Sequence, residues 1–330
     1  MSAAPHWFAH GLDHPGTPGD VVVDGARISY ETWGPAAGEA PGVVLIHGSN
    51  AHLSWWRFVA PYLALKYRVA ALDLSGNGSS DHRPKYSGAQ LADEVWGVCE
   101  AAGLGPRPFV IGHSFGGFVA LETAHRYDER LGGVIFNDFT VRPPEDYVEW
   151  GKRAEREGRS EPRKLRVYDD LDTAVGRFRL VPEQPGLNPT VHRWLAEQSL
   201  KQVEGGWTWR FDPALFDHLE MGIDQRDKFA GLQCRSGVVL GEHSADDGAR
   251  SGPYMREISR GLLPILTVPH THHHMMLEEP LALTMAFEGL IDSWIAEDGR
   301  DEMRAALSTL TTPSTPSTPS TLAEPAPSTD

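Results

Sequence analysis

Ser114 stands in Gly112-His113-Ser114-Phe115-Gly116, with Gly117 following. A Gly-x-Ser-x-Gly run carries chemistry when a buried strand precedes it and a helix follows at once, because the serine then projects from a sharp turn. Both conditions hold. Residues 109–111 form a short apolar run, and residues 115–127 have helical length and a mixed face. Such a turn is expected to hold the serine at positive φ, at a cost of about 1–3 kcal/mol. It also sets Oγ at a helix N-terminus, where developing negative charge is favoured. The competing reading is an ordinary glycine-rich strand–helix turn. A serine hydroxyl becomes a useful nucleophile only beside a neutral imidazole. Among 15 histidines, His270, His272, His273 and His274 cluster after the last apolar run. The cluster could instead supply metal ligands. Adjacent side chains diverge in extended backbone, however, and no companion carboxylate motif appears. No metal and no cofactor are expected.

These residues need a scaffold. Residues 21–23 and 27–33 flank Asp24-Gly25, a hairpin signal. Residues 42–46, 67–72, 109–111, 134–136, 237–240 and 263–268 are short, β-rich apolar runs that end at Gly or a polar residue, the mark of buried parallel strands. Helical patterns at 54–66, 88–102, 115–127 and 278–296 lie between them. The alternation predicts an α/β fold with a mostly parallel sheet. The interval from Asp138 to Gly237 breaks the rhythm and carries aromatics, so residues 140–235 are expected to form an inserted helical cap over the strand C-termini, where such sheets bind ligands. Residues 1–139 and 236–305 would form the core. Residues 306–330, rich in Thr, Pro and Ser, have little to bury and are expected to be a disordered tail.

Four landmarks occur in order: His47-Gly48 after a strand, Asp73-Leu74-Ser75-Gly76-Asn77-Gly78-Ser79-Ser80 after the next, the Ser114 turn, and a late histidine before Leu277-Glu278-Glu279-Pro280. On these the chain resembles, from about Val21 to Glu297, the α/β-hydrolase superfamily. It is most similar to the branch holding epoxide hydrolases, haloalkane dehalogenases, C–C bond hydrolases and small esterases. The resemblance implies an α/β-hydrolase fold with an eight-stranded, mostly parallel sheet, helices on both faces and an inserted cap. Epoxide hydrolases and haloalkane dehalogenases carry Asp where this chain has Ser114, and a hydroxyl suits acyl transfer.

The resemblance also assigns roles. The family's late histidine lies seven residues before the proline, which falls on His273, with His272 and His274 adjacent. The oxyanion donors would be the backbone N–H groups of Phe115 and Ser49. His47 reads as a structural histidine, and Asp73 as the organiser of its glycine-rich loop. The usual acid slot, after residues 237–240, holds Ser244, which cannot serve. The acid therefore lies at Asp138, as in some haloalkane dehalogenases, or has shifted to Glu242 or Asp246. Asn50, Trp55, Trp56 and Trp207 are expected to line the substrate pocket with Phe115.

Composition excludes several classes. The chain has 330 residues, a net charge of −15 and 40% apolar residues. That suits a sizeable core and argues against a nucleic-acid grip. No run approaches the roughly 18 apolar residues of a membrane span. Residues 1–10 lack a signal-peptide pattern, and Cys99 and Cys234 fit no ligand spacing. A cytoplasmic monomer or homodimer without a membrane partner is expected. The function expected is a serine hydrolase acting on a mostly hydrophobic carboxylic ester or lactone. The alternatives are a C–C bond hydrolase and a small-molecule receptor with little turnover.

Overall fold

The computed structural model describes residues 4–156, 164–220, 222–244, 248–259, 261 and 263–311. The strands are β1 (Thr17–Val23), β2 (Ala26–Trp33), β3 (Gly42–Ile46), β4 (Arg68–Leu72), β5 (Tyr86–Ser87), β6 (Phe109–His113), β7 (Gly133–Asn137), β8 (Leu200–Val203), β9 (Gly206–Trp209), β10 (Leu219–Glu220), β11 (Ser236–Gly241) and β12 (Ile265–Val268). Eight of them form one sheet in the order β1-β2-β4-β3-β6-β7-β11-β12. Only β1 and β2 run antiparallel to their neighbours. All eight match the apolar runs read from the sequence, because each is short, β-branched and closed by a turn residue.

The central strands are buried on both faces, and alternate residues serve different layers. Val43, Leu45, Val69, Ala71, Ile111, Ile135 and Val239 belong to one core cluster, with Trp56, Phe58 and Phe287. Val44, Ile46, Ala70, Leu72, Val110, Val134, Phe136 and Val238 belong to the other, with Leu91, Val95 and Leu121. The helices that cover these layers are α1 (His6–Asp13), α2 (Ala60–Leu63), α3 (Gly88–Ala101) and α4 (Phe115–Tyr127), followed by α5 (Pro144–Arg156), α6 (Leu171–Val175), α7 (Pro189–Gln198) and α8 (Gln225–Gly231), then α9 (Gly248–Ile258) and α10 (Pro280–Thr311).

Three expectations need correction. The segment 54–66 is not one helix: a 3-10 turn over Leu53–Trp56 precedes α2, which begins only at Ala60 with Pro61 in its first turn. The interval 140–235 is not wholly helical. It contains α5–α8, but also the β8–β9 hairpin, closed by Gly205 and Gly206 at positive φ, and β10, which pairs with β5. The last helix passes Arg304 and runs to Thr311 through Ala- and Leu-containing sequence of high helix propensity, so residues 306–311 are helical. Residues 312–330 of the expected tail lie outside the described residues.

One buried ion pair ties the early strands to the glycine-rich loop. Arg83 Nε donates to Glu94 Oε1 at 2.8 Å, and its other nitrogens donate to the carbonyls of Asp24 and Val23. Glu94 Oε2 accepts from the Ser75 N–H. Glu94 is fully buried and its pKa is raised, mainly by that burial. Removing one member leaves an uncompensated buried charge. Arg83→Met should therefore cost about 3–5 kcal/mol, read as a lower urea midpoint at unchanged m-value. An unchanged midpoint would show that water already screens the pair.

Candidate active site

Ser114 adopts φ 52 and ψ −119 between β6 and α4, the strained turn expected of it. Its neighbours permit that turn by their size. A Cβ on Gly112 would lie 2.0 Å from the Gly116 carbonyl oxygen, and one on Gly116 would lie 2.5 Å from that of Ile46. Any side chain there would push β6, α4 and β3 apart. Phe115 opens α4, so its N–H has no intrahelical acceptor. The Ser49 N–H donates no hydrogen bond among the described residues. Both amides are available to an oxygen atom beside Ser114.

Asp138 follows β7 and His273 follows β12. His273 Nδ1 lies 2.5 Å from Asp138 Oδ2. Asp138 is completely buried and also at positive φ, 49°. The Gly241 N–H donates to its Oδ1 at 3.0 Å, and the Ser244 hydroxyl donates to its Oδ2. The pairing directs the His273 Nδ1 proton at the carboxylate, and Nε2 makes no hydrogen bond among the described residues. Ser114 Oγ makes no hydrogen bond among the described residues. Such bonds are often open before substrate arrives.

Glu242, the second candidate acid, does not reach His273. Its Oε2 accepts from the His270 N–H at 2.7 Å, and this bond lowers its pKa. Asp246 lies outside the described residues. His272 is held by Glu278, which accepts from both its backbone N–H and its Nδ1. His274 packs edge-on against Trp55, with ring centroids 5.1 Å apart. Its pKa is lowered to about 3, chiefly by burial.

Two groups outside the expected site residues prove to organise it. The His113 Nε2–H donates to the His273 carbonyl at 2.9 Å and so fixes the loop that carries the imidazole. Ser244 stands in the usual acid slot and supports the carboxylate instead. Both were within sight in the sequence, one inside the Gly-x-Ser-x-Gly run and the other in the position where an acid was missing.

His47 and Asp73 play structural parts. His47 Nε2 accepts from the Leu74 N–H, so its Nδ1–H donates to the Gly48 carbonyl. Its pKa falls to about 4 through burial. Asp73 accepts from the N–H groups of Leu53 and Ser79, both at 2.7 Å. Burial outweighs those bonds and raises its pKa to about 6.

A cavity of about 250 Å³ opens beside Ser114, lined in part by Ser49, Phe115, Asp138, Phe139 and Phe216. The expected pocket residues Asn50, Trp55, Trp56 and Trp207 do not line it. Trp55 and Trp56 are buried in the core by the 3-10 turn, Asn50 is exposed on its loop, and Trp207 pairs with Tyr168 across an isolated bridge. The insertion reaches the cavity through Phe216, whose ring meets Phe115 at 5.1 Å.

His113, His273 and His274 each bring a ring nitrogen within 4.8 Å of the others. His113 Nε2 bonds the His273 carbonyl and His273 Nδ1 bonds Asp138, which leaves one further ring nitrogen on each. An exposed group, Glu242, His243 and His270, has the same spread of donor atoms.

A mostly parallel sheet that carries a strained serine at one strand–helix turn, with an imidazole–carboxylate pair beyond two further strands, defines a hydrolase of the α/β class. The chain belongs to the alpha/beta hydrolase family, whose model matches residues 43–286. A pimeloyl-[acyl-carrier protein] methyl ester esterase of Aeromonas hydrophila is 38% identical over 100 residues, 30% of this chain and 37% of that one. A proline iminopeptidase of Pestalotiopsis fici is 31% identical over 119 residues, 35% of this chain and 41% of its own. The matched stretches thus span well under half of these relatives. Among solved structures, an E-2-(acetamidomethylene)succinate hydrolase superposes with a TM-score of 0.70 at 20% identity, covering 83% of this chain and 98% of that one. An esterase from Mycobacterium tuberculosis gives 0.68 at 18% identity, covering 88% and 100%. These likenesses concern the fold.

Proposed function

We propose that this chain is a serine hydrolase of carboxylic esters or lactones, working through an acyl-enzyme at Ser114. The observation that carries this reading is the 2.5 Å contact of His273 Nδ1 with Asp138, on the same sheet edge as the strained Ser114. Ser114 Oγ attacks the carbonyl carbon while His273 Nε2 takes its proton. The N–H groups of Phe115 and Ser49 receive the oxyanion, where one donor is worth about 2.7–4 kcal/mol. Asp138 holds the tautomer and stabilises the imidazolium. The proton then passes to the leaving alcohol as its C–O bond breaks, and water, deprotonated by the same imidazole, releases the acid. Residues 140–235 act as the cap, since Thr140, Arg142, Tyr147, Phe216 and Gln225 complete the cavity wall. Among the described residues no helix is long and apolar enough to cross a membrane.

Intact mass after treatment with a fluorophosphonate tests the reading. The wild-type chain should gain one adduct, and Ser114→Ala should gain none. Well-folded protein that stays unlabelled and leaves 4-nitrophenyl esters untouched would refute an activated Ser114.

A further inference from the structure

β11 and β12 are parallel neighbours, so the loops that follow them leave the sheet at the same end. Three hydrogen bonds tie those loops together. The Glu242 N–H donates to the Val268 carbonyl at 3.1 Å, and the His243 N–H donates to the Thr271 carbonyl at 2.8 Å. The His270 N–H donates to Glu242 Oε2 at 2.7 Å. Gly241 permits the approach, since a Cβ there would lie 2.4 Å from the His272 carbonyl oxygen. Two imidazoles and a carboxylate are thereby gathered at one place. His243 Nε2 lies 3.7 Å and His270 Nδ1 lies 3.8 Å from Glu242 Oε2. One donor atom from each of the three residues lies within 4.8 Å of the other two.

This donor set suits zinc. In a tetrahedral site with bonds of about 2.0–2.1 Å, neighbouring donors stand roughly 3.3 Å apart. The two contacts with Glu242 exceed that by about half an ångström or less, and a small turn of an exposed ring closes the gap. Neither ring nitrogen makes a hydrogen bond among the described residues. The side chains of Glu242 and His243 are about half exposed and that of His270 is mostly exposed, so an ion arrives from solvent without any opening of the fold. Water takes the fourth position. Glu242 and His270 are 28 residues apart, which is why the histidine run shows no companion carboxylate in the sequence.

We propose that Glu242, His243 and His270 form a binding site for a divalent transition-metal ion of the zinc class, which clamps the loop after β11 to the loop after β12. Ser244 and His273 stand on these same two loops, and both bond Asp138. An ion on the outside thus braces the segments that hold carboxylate and imidazole together. Folding alone brings Glu242 and His270 into one place, so the ion binds the folded chain in preference to the unfolded one and stabilises it. The site stands whether or not Ser114 is a nucleophile.

Calorimetric titration of the untagged full chain with zinc chloride tests the site. His243→Gln and His270→Asn should each weaken zinc binding by about tenfold or more. Asparagine suits position 270, where φ is 58. Calcium, which takes six or more oxygen ligands, should give no binding heat. Zinc should raise the Tm of wild type but not that of the double variant, while circular dichroism and the Tm without zinc stay the same in both. The buried trio of His113, His273 and His274 competes for the same ion, and ester turnover separates the two. Wild type that binds no zinc would overturn the proposal. So would variants that bind it as tightly as wild type does, and if zinc also abolished their turnover, the ion would belong to the buried trio instead.

Discussion

Asp138→Asn is expected to leave a folded protein whose kcat on an activated ester falls by about 10⁴, while Glu242→Gln stays close to wild type. Asparagine is the informative replacement because Asp138 sits at φ 49, a region that Asn tolerates better than most residues. The fold is thus spared while the carboxylate is lost. An amide nitrogen facing His273 Nδ1 would favour the wrong tautomer, with the proton on Nε2, where Ser114 needs an acceptor. Glu242 has no such influence: it bonds the His270 backbone and is about half exposed. Steady-state kinetics of both variants, with urea melts as control, decides the matter. Near-normal turnover in Asp138→Asn, or a collapse in Glu242→Gln, would reject Asp138 as the triad acid.

Acid should destabilise this protein as pH falls below about 6.5, with the steepest loss below about pH 4. Four histidines are buried in neutral form. Burial is the largest cause of each shift, lowering His47 to about 4, His52 and His274 to about 3, and His113 well below its usual value. In the unfolded chain each regains a pKa near 6.5. A depressed pKa contributes stability that is whole above pH 6.5 and is lost as pH falls towards the folded value. Each group then costs about 1.4 kcal/mol per pH unit wherever nothing offsets it, against a whole stability of about 5–15 kcal/mol for an ordinary domain. Asp73 works in the opposite sense. Its pKa, raised to about 6, gives stability that is whole below about 3.8 and lost as pH rises through 6. Glu31 and Glu94, also raised by burial, add to that opposing arm. The carboxyl effects end near pH 4, whereas the histidine losses continue below it. Denaturant melts from pH 7.5 to below 4 should show the decline, and His52→Gln should reduce its slope by about one proton. A flat profile over that range would mean that the buried histidines are hydrated.

The sheet was legible because its strands carry their own punctuation: short apolar runs ending at His47, Asp73, Gly112, Asp138 and Gly241 are hard to read otherwise. Ser114 was legible for the same reason, since its motif lies where strand meets helix. The carboxylate beside His273 was ambiguous because a slot that resembles an acid position holds Ser244, and only the three-dimensional contact explains why a hydroxyl stands there. The cavity wall was not legible. Tryptophan suggests a pocket by its size, but size also makes it a core residue, and Trp55 and Trp56 went to the core. The wall instead draws on Phe139, Thr140 and Arg142, just past Asp138, and on Phe216 and Gln225, far along an irregular insertion. No periodic pattern announces residues that meet only through loops. The β8–β9 hairpin was missed for a related reason, as two four-residue strands are too short for alternation to register.

Ser114, Asp138 and His273 lie beyond three different strands, β6, β7 and β12. The strained turn at Ser114 is built by β6 and α4 alone, whereas the contact of Asp138 with His273 needs β7 and β12 held on either side of β11. Under the proposed function, loosening the β12 edge would part the imidazole from the serine while leaving the strained turn intact.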